Sequence, residues 1–331
     1  MSVRFNQVDA LKGLGMILVI IGHMDLTLVG TSVATFIYTF HMPLFFLVSG
    51  YLSIKMYNNF VVVLKKKARS LLLPYTVFFC ISLLFGYIVV PFVILKSNVI
   101  PEVDFIQIIK SYLLSGGELT NIPIYNFPLW FLPCLFVTEL CFYFLKKIKN
   151  DWIFFAVLIV IAAITFPIQT ILEGRPPFHI NVVPAALVFM GIGYLFRKYE
   201  SKIKINNFGS ILIIFISLVL AYKNPGNISY IINPIYFFIS ATLITYLLYI
   251  MLKNCTDNNL FVYIGKNSLA IFGIHALVIL LYSFLPITNY FSNYNGLALF
   301  SINLLFVVMI CLLLVWMFNS IKGYFKKYSN N

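Results

Sequence analysis

Long apolar runs separated by short polar connections organise the chain from end to end. A helix needs about 20 mostly apolar residues to cross a bilayer. Ten runs approach that length: 8–29, 34–54, 73–95, 128–146, 152–172, 181–197, 208–223, 230–252, 266–286 and 297–321. The pattern predicts an all-α, polytopic transmembrane bundle of about ten helices. The run at 208–223 is short, and that at 266–286 opens on Lys266-Asn267. The longest non-apolar stretch, 96–127, carries an amphipathic piece from Phe105 to Leu114 that suits the membrane interface. Gly116-Gly117 and Pro123 break the chain after it, and Arg175-Pro176-Pro177 predicts a stiff turn. No internal repeat stands out, so residues 1–331 read as a single membrane-embedded domain. The first run lacks a small-residue cleavage site and is expected to be a retained helix, not a signal peptide.

Composition sharpens this. Of 331 residues, 61% are hydrophobic and 10% charged, where a soluble domain has about a quarter charged. The formal net charge of +13 would suggest nucleic acid on a soluble protein. Position argues otherwise. Arg4 and Lys12, then Lys55, Lys65, Lys66, Lys67 and Arg69, then Lys146, Lys147 and Lys149 fall on one side of the alternating spans. Arg197, Lys198, Lys202, Lys204, Lys253, Lys266, Lys322, Lys326 and Lys327 join them. The other side receives only Lys96, Lys110, Arg175 and Lys223. The positive-inside rule then predicts both termini in the cytoplasm and no nucleic-acid partner. The five cysteines are scattered and form neither a zinc motif nor a disulfide framework.

Ionisable residues at membrane depth are costly and few, so each is a site hypothesis. Lys12 and His23 are 11 residues apart, about 16 Å along one helix face. That stripe suits a ligand with an anionic head at the surface and a reactive end inside; anchoring and packing are the plainer roles. Asp9, three residues before Lys12, suggests a local ion pair, and Asp25 an interfacial carboxylate. His41 enters the second helix at a depth close to that of His23, beside Pro43, which frees a backbone carbonyl. The two imidazoles could form an acid/base pair; two ligands are too few for a metal. Glu139 lies deep in the fourth helix, to orient a histidine or to hold helices together. Ser268 and His275 share a helix face two turns apart, which favours substrate contact or packing over a triad. Lys67 and Arg69 belong to a basic run suited to anionic lipid or to phosphate.

Several blocks resemble the integral-membrane acyltransferase-3 family. Asp9-Ala10-Leu11-Lys12-Gly13 with Gly22-His23 is similar to its basic-x10-His pattern. Phe40-His41-Met42-Pro43-Leu44-Phe45-Phe46 through Ser49-Gly50-Tyr51 resembles its second-helix signature. Lys67-Ala68-Arg69 before Leu72-Leu73-Pro74-Tyr75, Leu129-Trp130-Phe131-Leu132 with Glu139, and Ile264-Gly265-Lys266-Asn267-Ser268 through His275 resemble three further blocks. The match runs along most of the chain and fits the family's shorter, single-domain branch.

The resemblance implies an acyl-CoA-dependent O-acyltransferase, with acetyl as the expected group. The donor would be cytoplasmic acetyl-CoA, and the acceptor an extracytoplasmic cell-surface glycan or lipid-linked glycan precursor. Lys12, Lys67 and Arg69 would meet the CoA phosphates. His23 would act as general base or transient acyl carrier, with His41 and Glu139 orienting or shuttling protons. Trp130 and Tyr51 would line the sugar path, with Ser268 and His275 also contacting substrate. Membrane lipids are the other expected partner, no metal is implied, and the inner membrane is the expected location. A transporter or flippase of a lipid-linked sugar is the rival reading of ten helices with buried polar groups.

Overall fold

In the computed structural model each of the ten apolar runs overlaps helix. The structure describes residues 6–24, 31–55, 57–94, 102, 104–115, 124–172, 174, 176–203, 207–223, 226–256, 259–284 and 296–329. Asp25, Gly116-Gly117, Pro123 and Arg175 lie outside them.

The helices are α1 (Asn6–His23), α2 (Thr31–Leu52), α3 (Phe60–Lys67) and α4 (Leu73–Leu84), then α5 (Phe105–Leu114), α6 (Phe131–Leu145) and α7 (Asp151–Ile171). After them come α8 (Val183–Tyr199), α9 (Asn207–Tyr222), α10 (Pro234–Met251), α11 (Leu260–Lys266), α12 (Ser268–Ser283) and α13 (Gly296–Ser329). A π-helical turn, Ala68–Leu72, welds α3 to α4, and a second one, Phe85–Ile94, carries the helix on past Pro91. α5 is the amphipathic piece expected, capped by the Asp104 carboxylate on the Ile106 and Gln107 amides.

Seven helical stretches among the described residues are long and apolar enough to span a bilayer, or eight if α11 and α12 count as one span bent by 89°. The expected count of ten is not reached by this measure, because α1 and α9 fall short of it. α1 is 18 residues long and carries Asp9 and Lys12. α9 has 16 residues, about 24 Å of helix against a hydrocarbon core of about 30 Å.

Two glycine pairs set the closest packing. An added Cβ on Gly13 would overlap the Phe261 carbonyl, and one on Gly265 the Asp9 carbonyl, so α1 and α11 meet backbone to backbone. Gly50 against Met190, and Gly193 against Leu47, do the same for α2 and α8. Small residues allow this approach in membranes, where helix association depends on van der Waals contact. α7 lies outermost, with Trp152, Ile153, Phe155, Ile159 and Val160 exposed to the lipid.

Polar contacts mark the two ends of the bundle. At the basic end Lys198 pairs with Asp151 at 2.6 Å, and Lys146 donates to the Ser53 carbonyl at 2.5 Å. At the other end the last turn of α1, the start of α6 and the turn before α8 come together.

Candidate active site

α1 and α2 run antiparallel, with Gly15 facing Leu44 and Gly22 facing Tyr38, which brings His23 and His41 to one cavity. Both line a cavity of about 480 Å³ with Tyr38, Met42, Phe127, Pro128, Trp130, Gly174, His179, Asn181 and Asn227–Ser229. His41 is buried, and its Nδ1 lies 2.9 Å from the Ile37 carbonyl. A carbonyl can only accept, so Nδ1 carries the proton and a neutral ring keeps its lone pair on Nε2. His275, from α12, is fully buried with its ring centroid 5.5 Å from that of His23. Its Nδ1 donates to the Phe272 carbonyl at 2.8 Å, leaving Nε2 without a hydrogen-bond partner among the described residues. Tyr38 packs on His41 and donates to the Gly22 carbonyl at 2.5 Å, tying α2 to α1 one residue from His23.

His179 completes the group and was not anticipated from the sequence. It follows Phe178 in a tight turn where both residues have positive φ, 53° and 51°. Its buried ring lies 5.0 Å from the Trp130 indole at an interplanar angle of 33°. The chain has four histidines. Three line this cavity, and the fourth packs on His23. That scarcity was the available signal: His23 ends α1 and His179 precedes α8, while His41 and His275 lie mid-helix.

The other expected site residues lie toward the basic end. A second pocket, about 210 Å³, is lined by Lys12, Met16, Phe45, Ser49, Leu71, Phe131, Ser268 and Phe272 among others. Lys12 sits at its rim, paired with Asp9 at 2.6 Å. Ser268 opens α12 in this pocket, while His275, two turns on, is buried against the His23 ring, so the two do not meet in one site. Lys67 pairs with Glu139 at 2.6 Å. Glu139 is therefore joined to a lysine and is not brought to the histidines; on α6 it lies nine residues, about 13 Å, beyond Trp130. Arg69 is exposed on the π-helical turn. Two of the three expected phosphate ligands are thus already neutralised by a carboxylate.

Tyr51 is likewise placed away from Trp130. It lies ten residues after His41, about 15 Å along α2, where its hydroxyl meets Glu200 at 2.7 Å, Tyr249 at 2.9 Å and Arg197 at 3.0 Å. An almost wholly apolar cavity of about 370 Å³ adjoins this network.

A wall of rings separates the two chambers. Phe131 contacts Phe45, Phe46 and Phe272 at centroid distances of 5.9, 5.1 and 5.5 Å. Phe272 contacts His275 at 5.7 Å, and His275 contacts His23. Asn126 braces the wall, donating to Ser82 at 3.1 Å and to the Gly273 carbonyl at 2.8 Å. Among the described residues no group of three or more His, Cys, Asp or Glu side chains is arranged to hold a metal.

The arrangement offers basic imidazole nitrogens at one end and a cation-rimmed pocket at the other, joined through α1 and α12. Compared with known proteins, residues 5–318 match the family model of the acyltransferase domain that defines the acyltransferase 3 family. No curated protein and no solved structure matches the chain.

Proposed function

We propose, from the premise that this multi-pass membrane protein belongs to the acyltransferase 3 family and is an acyltransferase, that it moves an acetyl group from acetyl-CoA to a glycan hydroxyl. Acetyl-CoA would dock at the basic end, taken to be cytoplasmic, and the glycan or lipid-linked precursor would enter the histidine cavity from outside the inner membrane. The observation that carries this reading is the gathering of all four histidines at one end, opposite a pocket rimmed by Lys12.

The phosphates of CoA need cations that are not already paired. Arg69, exposed and able to donate a bidentate fork, is the best placed of the expected three. Lys12 and Lys67 would have to release Asp9 and Glu139, or share them. The pantetheine arm would then run along the α1 stripe from Lys12 past Met16, about 16 Å to His23, parting the ring wall.

At the far end, His23 accepts the proton of the acceptor hydroxyl as its oxygen attacks the thioester carbonyl. The C–O bond forms, the C–S bond breaks, and the proton passes from His23 to the departing sulfur. A variant in which an imidazole first carries the acetyl group uses the same residues. His275 orients the His23 ring, and His41 faces the same cavity with Nε2 available as a base. Membership of an acyltransferase family favours this chemistry over bare transport of a lipid-linked sugar.

The test is acetyl incorporation into surface glycan from labelled acetyl-CoA in membranes. His23→Ala should abolish it while the amount of protein in the membrane stays normal. Undiminished acetylation in that variant would remove His23 from the chemistry.

A further inference from the structure

The histidine cavity has two unlike walls. One carries His23 and His41; the other carries Trp130, His179 and Asn181. The second wall is built at a conformational cost. Phe178 and His179 both adopt the left-handed backbone that side-chain-bearing residues rarely take, and this turns the His179 ring onto Trp130. The result is a tilted pair of rings bordering the same cavity as the His23 and His41 imidazoles.

Asn181 follows in the same turn. Its side chain is buried, and its amide oxygen has no hydrogen-bond partner among the described residues. Asn227, also lining the cavity, differs: its amide oxygen already accepts from the Ser229 and Tyr230 amides. A buried acceptor left unmatched is costly. Whatever fills the space beside Asn181 must therefore present a hydrogen-bond donor. The cavity, at about 480 Å³, is of the size that holds a small ring-shaped ligand.

Resting on the acyl-transfer reading above, we infer that Trp130, His179 and Asn181 form the acceptor subsite, and that its ligand is a sugar ring bearing vicinal hydroxyls. One ring face lies on the Trp130–His179 surface. The hydroxyl to be acylated points to His23, and its neighbour donates to the Asn181 amide oxygen. Asn181 is thus a positioning residue: it fixes which hydroxyl of a pair reaches the base.

Binding without any acyl donor tests this directly. Trp152 and Trp316 are on the surface, 83% and 60% exposed, so replacing both by Phe leaves Trp130 as the sole indole. In nanodiscs, this protein titrated with methyl glycosides bearing vicinal hydroxyls should give a saturable fluorescence change. Removing the neighbouring hydroxyl should weaken binding about ten-fold in Asn181 protein and leave Asn181→Leu unaffected. In transfer assays Asn181→Leu should raise the acceptor KM and leave the acetyl-CoA KM unchanged. Absence of a saturable change with every glycoside, an equal loss for diol and deoxy sugars in Asn181→Leu, or a shift confined to the acetyl-CoA KM would each overturn the assignment. Glycoside binding by a protein that transfers no acetyl would overturn the reaction and keep the subsite.

Discussion

Replacing Lys67 by Met takes from the Glu139 carboxylate its paired ammonium and leaves only the more distant Lys146 acting on it. The two side chains are 2.6 Å apart, but their surroundings differ: Glu139 is 8% exposed and Lys67 23%. Breaking a buried pair by removing one partner costs about 3–5 kcal/mol, because the charge left behind has lost its solvent and its partner. Glu139, the more buried of the two, should impose a cost in that range. Glu139→Gln leaves instead an ammonium on a four-carbon stem that can swing to water, so its cost should be nearer about 1 kcal/mol. The double variant Lys67→Met with Glu139→Gln has no unpaired charge and should recover about 2 kcal/mol relative to Lys67→Met alone. At about 2 °C per kcal/mol for a chain of this size, Lys67→Met should melt about 6–10 °C below the parent protein. The double variant should melt close to Glu139→Gln. Thermal unfolding of purified protein in one detergent, followed by intrinsic fluorescence, reads all four species. Additive losses, with the double variant the least stable, would refute the coupling and with it the view that Glu139 serves the α3–α6 junction.

Two more predictions follow from the site. His275 is fully buried with an unpartnered Nε2, so His275→Leu should keep or raise the melting temperature while lowering acetyl transfer at least ten-fold; a drop in stability with full activity would contradict its role beside His23. Arg69→Ala should raise the acetyl-CoA KM about ten-fold at low salt, a difference that narrows as salt screens the exposed guanidinium; a KM independent of both mutation and salt would place the phosphates elsewhere.

Spacing along one helix was legible in the sequence, and the face each helix turns to its neighbours was not. Counting residues from span ends predicts that His23 and His41 lie at similar depth; the structure shows the two lining one cavity, because α1 and α2 are antiparallel neighbours. The same count, applied to Tyr51, puts it ten residues beyond His41 and away from Trp130; grouping the two as aromatics overlooked that separation. Glu139 shows the missing coordinate. Its partner Lys67 lies on a helix 72 positions earlier, and no periodicity reveals which face of α6 meets α3. The Asp9–Lys12 pair, local to one helix turn, was readable because three residues fix its geometry. His179 escaped because the turn around Pro176-Pro177 reads as a connection, whereas its two left-handed residues point the ring inward. The bend of 89° at Asn267 was also hidden: polar Lys266-Asn267 marked a span's beginning, and the structure makes it a corner.

The ring wall between the two chambers has an electrical consequence. A polar histidine cavity joined directly to the Lys12 pocket would open a water path along which protons leak. Phe45, Phe131 and Phe272 pack between them, so a charge passing from one chamber to the other would have to cross an apolar layer. An elementary charge crossing a drop of 100 mV exchanges about 2.3 kcal/mol with the field. A neutral acyl group crossing the same layer exchanges none, provided the phosphates that carried it stay on the basic side. In the proposed reaction such a layer would sort cargo by charge: a neutral acetyl group could cross an energised membrane without drawing on the voltage, while a charged one could not.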